Sequence, residues 1–301
     1  MRITNSMATQ RAIAEFATAR QQMEAAQTRV TSGKQFQTAS ENPLGAMGVM
    51  QNTAQMRAID QYQRNIGAAS QRSSIEEGAL DEMTSLLTRA RELAVSQSTD
   101  TATAATRQAA GAEVNQLLAH ALQLANTKSG DEYLFGGDYP GTAPFTLYTT
   151  APAYTFSAAT PAPSGPRRME IGAGQLIVAN HDGTQVFGTA ATGPLKALQD
   201  LAAAMQTGTT AAVAATLPTF VTESAKVQTL LAETGARANR LDMTQANLTA
   251  LKNQLTTFNS NIQDIDIETA VTQLTGRQVA YQAAMASTTR MMSMTLTDYL
   301  R

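Results

Sequence analysis

His120 and His181 are the chain's whole stock of imidazole, and there is no cysteine at all. No HExxH, CxxC or paired-histidine spacing surrounds them, so tetrahedral metal sites and Cys/His nucleophilic constellations have no material to draw on. A structural or surface role is the reading for both. The lysine of "TSGKQF" (Thr31–Phe36) follows a glycine. It lacks both the upstream glycine and the following Ser/Thr of a phosphate-cradling loop. "GAGQ" after "MEI" is a glycine pair with no helix behind it. The carboxylates of "DIDIE" (Asp264, Asp266, Glu268) have the chemistry to hold a cation, but a helix cap and a solvated face fit them better. Met285, Met291, Met292 and Met294 are flexible apolar side chains suited to an irregular packed interface. A membrane-surface helix would need a basic polar face, and Arg277, Arg290 and Arg301 are too few to make one. No catalytic constellation emerges, and the chain is expected to be a non-enzyme with no cofactor or metal.

The elements that carry these residues are mostly helical. Alanine, threonine and glutamine dominate, aromatics make up 5% and tryptophan is absent. Alanine favours helix while covering little area, a profile of long helices packed side by side. The formal net charge of −2 offers no basic field for nucleic acid or anionic lipid. The beginning "MRITNSMATQRAIAEF" has no apolar core of a secretory signal, and no run approaches the roughly 18 apolar residues of a membrane span. Export, if it occurs, is expected to read no cleaved signal.

Ala12, Phe16, Ala19, Met23, Ala26 and Val30 recur at steps of four and three, the seam of a coiled coil over about 7–31. Gly33 suits the C-terminal cap, and Pro43 the first turn of the next helix. Helical patterns then run over about 44–97 and 107–128, an αα-hairpin. Between Gly136 and Pro194 lie seven of the nine prolines and nine of the nineteen glycines. There "AYTFSA", "RRMEIGAG", "QLIVAN" and "TQVFG" predict short strands, "HDGT" a tight turn, and "TPAPSGP" a loose connection. Helix resumes at Pro194 and again from about 210 to 263, a span of about 80 Å if continuous. At "DIDIE" the apolar frame changes phase, with Asp264 or Asp266 as N-cap. The last helix continues through Ile267, Val271, Leu274, Gln278, Tyr281, Met285, Thr288 and Met292, with Leu296 beyond.

The expected fold is mainly α. N- and C-terminal arms form a long helical bundle or coiled coil around a small β-rich insert. Three parts are expected: a terminal coiled-coil domain, residues 1–42 with 266–301, disordered until assembly; a helical-bundle core, residues 43–135 with 195–265; and the β-rich insert 136–194. The two terminal stripes have no local partner, and such helices gain little alone. They should pack on each other and on neighbouring copies. The expected assembly interface is Phe16, Met23, Val30, Ile267, Val271, Leu274, Tyr281, Met285, Met292 and Leu296.

"VTSGKQFQTASENPLGA", "EGALDEMTSLLTRARELAVSQS", "GARANRLD" and "DIDIETAVTQLTGRQVAYQAAMA" resemble, in order, the helical arms of the flagellin superfamily. "SENP" departs from the commoner paired aspartates there. Within the superfamily, "DEYLFGGDYPGTAPF" and the ending "LTDYLR" resemble the hook-associated proteins of the hook–filament junction more than the filament subunit. The resemblance implies an extracellular structural protein of the bacterial flagellum, cytoplasmic before type III export. It would form an adaptor ring with copies of itself, next to hook protein and a neighbouring hook-associated protein. It also implies an export chaperone on the last helix, at Tyr281, Met285, Met292 and Leu296. A filament subunit is the rival reading. A generic coiled-coil scaffold leaves the ordered motifs unexplained. A ligand site in the insert would rest on only Asp138, Arg167, Arg168, Glu170 and Asp182.

Overall fold

The computed structural model describes residues 2–149 and 155–299, apart from the side chains of 2–6, 8, 9 and 291–299. Met292 and Leu296 of the expected interface therefore lie outside the described side chains. Helix α1 (Arg2–Ser32) ends at Gly33, whose positive φ of 68° and N–H to the Arg29 carbonyl make the left-handed cap. Helix α2 (Pro43–Gln97) starts at Pro43, with the Asn42 side-chain oxygen accepting the Gly45 N–H at 3.0 Å. Helix α3 (Ala104–Ala125) begins earlier than its apolar periodicity predicts, because Thr103 caps it through the Thr106 N–H.

Three separate antiparallel pairs follow: β1 (Lys128–Ser129) with β2 (Glu132–Tyr133), β3 (Phe145–Tyr148) with β4 (Thr155–Ala158), and β5 (Arg168–Gly172) with β6 (Gln175–Val178). "HDGTQVFG" is not a turn and a strand. It is helix α4 (Gly183–Phe187), because the Asp182 carboxylate accepts both the Gln185 N–H and the Thr184 hydroxyl. That local cap outweighs the strand preference of Val186 and Phe187. Nor is "TPAPSGP" loose at its end: the Ser164 carbonyl accepts from Asp138 N–H, and Asp182 accepts from Gly165 N–H. Helix α5 (Pro194–Thr207), helix α6 (Thr210–Gln263) and helix α7 (Ile267–Tyr299) complete the chain. Asp266, not Asp264, caps α7, its carboxylate accepting the Glu268 N–H and the Thr269 hydroxyl.

The chain divides into two compact units, a terminal unit of 1–58 with 250–301 and a central unit of 59–249. In the central unit, Leu80, Met83 and Leu87 of α2 share one core with Val114 and Leu118 of α3. Leu195 and Leu198 of α5 and Val213, Phe220 and Val227 of α6 complete it. The β-rich residues are built into this core rather than folding apart. Phe135 meets Phe187 edge-on with ring centres 4.9 Å apart, and Phe145 lies 6.0 Å from Phe187. A smaller cluster puts Ile171 and Ile177 of the β5–β6 hairpin, with Ala179 just after it, on Ile66, Ala69 and Leu241.

The terminal unit is different. Its buried apolar side chains are Phe36, Ala46 and Leu255 among the described residues. There α2 and α6 meet through Asn52, which donates to Asn259 at 2.9 Å, and Gly48 faces Ile262.

Candidate assembly interface

The α1–α7 pair in the terminal unit is where the sequence placed the assembly interface. On α1 the half-buried apolar residues are Ala12, Phe16, Ala19, Met23, Ala26 and Val30, the seam its 4–3 spacing predicts. Phe16 packs on Tyr281 with ring centres 5.2 Å apart, and Arg277 donates to Gln22 at 2.6 Å. The two phase breaks close the pair at one end. Gln35 N–H donates to the Gln263 carbonyl, Ile265 N–H to the Gly33 carbonyl, and Lys34 pairs with Asp264 at 2.5 Å. The Lys34 and Ser260 hydrogen bonds hold the Asp264 carboxyl below its ordinary value of 3.8. This clasp was not legible in the sequence, where Gly33–Lys34 and Asp264 read only as helix ends 230 residues apart.

On α7 the half-buried positions are Ala270, Leu274, Tyr281, Ala284 and Thr288. They share Leu274, Tyr281 and Thr288 with the predicted frame, but three of its other described apolar members sit elsewhere. Ile267 is 64% exposed, Val271 45% and Met285 46%. At 100° per residue these three lie about 60–100° around the helix from the centre of the α1 contact. The apolar face of α7 is thus wider than one partner helix can cover. A stripe serving a single two-helix seam is narrower than one serving a larger bundle. Among the described residues, none of α1 or α7 is buried, whereas α3 buries eight.

A second uncovered face lies at the start of α2. Gly48 and Asn52 look toward α6, while Leu44 (82% exposed), Met47 and Met50 stay largely exposed. Beside the clasp, a groove of about 300 Å³ is lined by Ala26, Arg29, Gln35, Asp264, Asp266 and Gln273. Among the described residues no His/Cys/Asp/Glu group could hold a metal, and no helix is long and apolar enough to cross a membrane. The site offers apolar adhesion and a charged clasp.

The bacterial flagellin N-terminal helical region matches residues 3–139, and the bacterial flagellin C-terminal helical region matches residues 220–300. The chain belongs to the flagellin superfamily. The N-terminal match takes in α1, α2 and α3, and the C-terminal match takes in α7 and most of α6. The flagellin regions thus contribute both members of the α1–α7 pair. Curated relatives include flagellin A of Vibrio cholerae, 29% identical over 54% of this chain and 42% of its own length. Polar flagellin C of Vibrio parahaemolyticus is 32% identical over 40% of this chain and 31% of its own length. The chain therefore spans less than half the length of these flagellins.

Solved structures share its fold at low identity. A putative flagellar hook-associated protein from Vibrio parahaemolyticus superposes with a TM-score of 0.64 at 20% identity, over 74% of this chain and all of that one. Bacillus cereus FlgL gives 0.55 at 23% identity over 72% of this chain and all of that one. The flagellar junction protein FlgL from Legionella pneumophila gives 0.56 at 15%, over 72% and 100% respectively.

Proposed function

We propose that this chain is a structural component of the bacterial flagellum that works at the hook–filament junction. It would form an adaptor ring whose subunits join through the terminal unit. The observation that carries this is the face of α7 left open by α1, at Ile267, Val271 and Met285. A neighbouring copy's helix has the chemistry to fill it. Burying about ten such side chains, at roughly 25 cal/mol per Å², offers on the order of 10 kcal/mol before the cost of ordering. Leu44, Met47 and Met50 supply a second, different face. Two unlike faces favour head-to-tail contact, which closes into a ring or continues as a filament, over a single self-complementary patch.

Before assembly the poorly buried α1–α7 pair is proposed to fray, a state suited to threading through the type III export channel. Tyr281, Met285, Met292 and Leu296 would then be open to a cytoplasmic export chaperone. Hook protein and a neighbouring hook-associated protein are the remaining partners. Support for the junction over the filament comes from the fold shared with hook-associated proteins and from the "YLFGGDYPGTAPF" segment. The curated flagellin relatives favour the second reading, a filament subunit.

Quantitative mass spectrometry of intact flagella separates the two. The junction reading expects about one ring's worth of this chain against thousands of filament subunits, lost when hooks are removed. Near parity with the main filament subunit would make it a flagellin.

A further inference from the structure

His181, between β6 and α4, is 8% exposed and sits among charged groups from two helices of the central unit. Its Nδ1 is 2.6 Å from Oε1 of Glu76 on α2, and its Nε2 is 3.1 Å from Oε2 of Glu233 on α6. The Glu76 oxygen also accepts the backbone N–H of His181 at 2.9 Å. Arg237 of α6 donates Nη1 to the other Glu76 oxygen at 2.8 Å. Its Nη2 lies 3.4 and 3.2 Å from the two ring nitrogens, a near-equal spacing that places it over the ring rather than in its plane. One turn before Glu76, Arg72 donates to Asn180 and pairs with Glu132 of β2. On the histidine's own segment, Asp182 is occupied with the α4 cap.

A carboxylate facing each ring nitrogen decides the protonation state. A neutral imidazole has one N–H, so one of the two carboxylates would face a lone pair. The imidazolium donates to both. Glu76, Glu233, Arg237 and the charged ring then form a neutral four-group cluster, which is what burial of Glu76, with no exposure at all, demands.

We propose that His181 is a pH-dependent latch: as an imidazolium it clamps the β5–β6 and α4 segment onto α2 and α6, and deprotonation loosens it. Loss of the proton turns a ring lone pair toward Glu233, which is half-exposed and free to swing out, and leaves the buried Glu76 charge with Arg237 as its remaining cationic partner. Burial and Arg237 both oppose the charged ring, but the hydrogen bond and charge of Glu76, with the hydrogen bond of Glu233, outweigh them and raise the His181 pKa above 6.5. A raised folded-state value means the clamp contributes fully below about pH 6.5 and is lost as the pH climbs through that raised value. The latch concerns the central unit and stands whether the chain belongs at the junction or in the filament.

The test is an NMR titration of the histidine Cε1 protons in the full chain, with amide exchange over residues 166–188 from pH 6 to pH 9. The expectation is that His181 titrates above 6.5. Protection factors in 166–188 should fall on the order of tenfold for each pKa unit of elevation, while those of α3 hold. His181→Gln should abolish the pH dependence. Glu233→Gln, at a half-exposed site that the fold tolerates, should lower the His181 pKa and keeps the test decisive if the histidine variant does not fold. Titration at or below 6.5, pH-independent protection over 166–188, or no response of His181 to Glu233→Gln would each overturn the latch.

Discussion

Gly137 and Gly33 both hold a positive φ, yet they should respond differently to a methyl group. At Gly137 (φ 60°) a Cβ would fall on the Ser164 carbonyl, the same group that pins the Pro-rich connection through Asp138. At Gly33 (φ 68°) the space is open. Gly137→Ala should therefore cost about 2 kcal/mol or more, and Gly33→Ala about 1 kcal/mol from the backbone alone. Urea denaturation of the full chain measures the first, and an unchanged midpoint would count against it. The "FGG" of the sequence was readable as a segment, but its backbone demand depends on a carbonyl 27 positions later.

Asp264 makes a second residue-scale prediction. Its depressed carboxyl pKa stabilises the clasp above the ordinary value of 3.8, and this is lost as the pH falls through the lower folded value. The Gln35 and Ile265 amides should lose protection on acidification in the native chain. In Lys34→Met that acid step should shrink. An identical step in both would mean the ion pair contributes nothing.

At the scale of elements, the α1 seam was fully legible because six apolar residues repeat at one strict spacing. The phase of α7 was not. Leu274, Tyr281 and Thr288 belong to both possible frames, and alanines at 270 and 284 carry too little hydropathy to outvote Ile267, Val271 and Met285. Only the position of α1 decides between them. The α4 helix was missed for the opposite reason, since a side-chain cap of a single residue overrode a strand-like composition. Burial predicts how these elements differ in dynamics. Hydrogen exchange on the isolated chain should be fast before about residue 34 and after about 266, and slow across α3 and the α2 segment around Leu80, Met83 and Leu87. Strong protection of α1 and α7 in the isolated chain would sink the expectation that they order on assembly.

At the scale of the whole molecule, the contrast is between a central unit with a continuous core and a terminal unit carrying, among the described residues, most of the exposed large apolar side chains. Exposed apolar surface gathered in one unit is the pattern of a surface meant to be covered. The helical class and the arms were readable from periodicity and composition. The sharing of one core between helices and β-rich insert was not, because Phe135, Phe145 and Phe187 meet only in three dimensions.

The absence of cysteine makes the direct measurement simple. A single thiol at Val271→Cys or Met285→Cys should label rapidly in the isolated chain. In assembled flagella it should label at least tenfold more slowly, while a thiol on the solvent face of the central unit labels equally in both states. Equal labelling of Val271→Cys and Met285→Cys before and after assembly would mean that no neighbouring copy covers α7, contradicting assembly through that face.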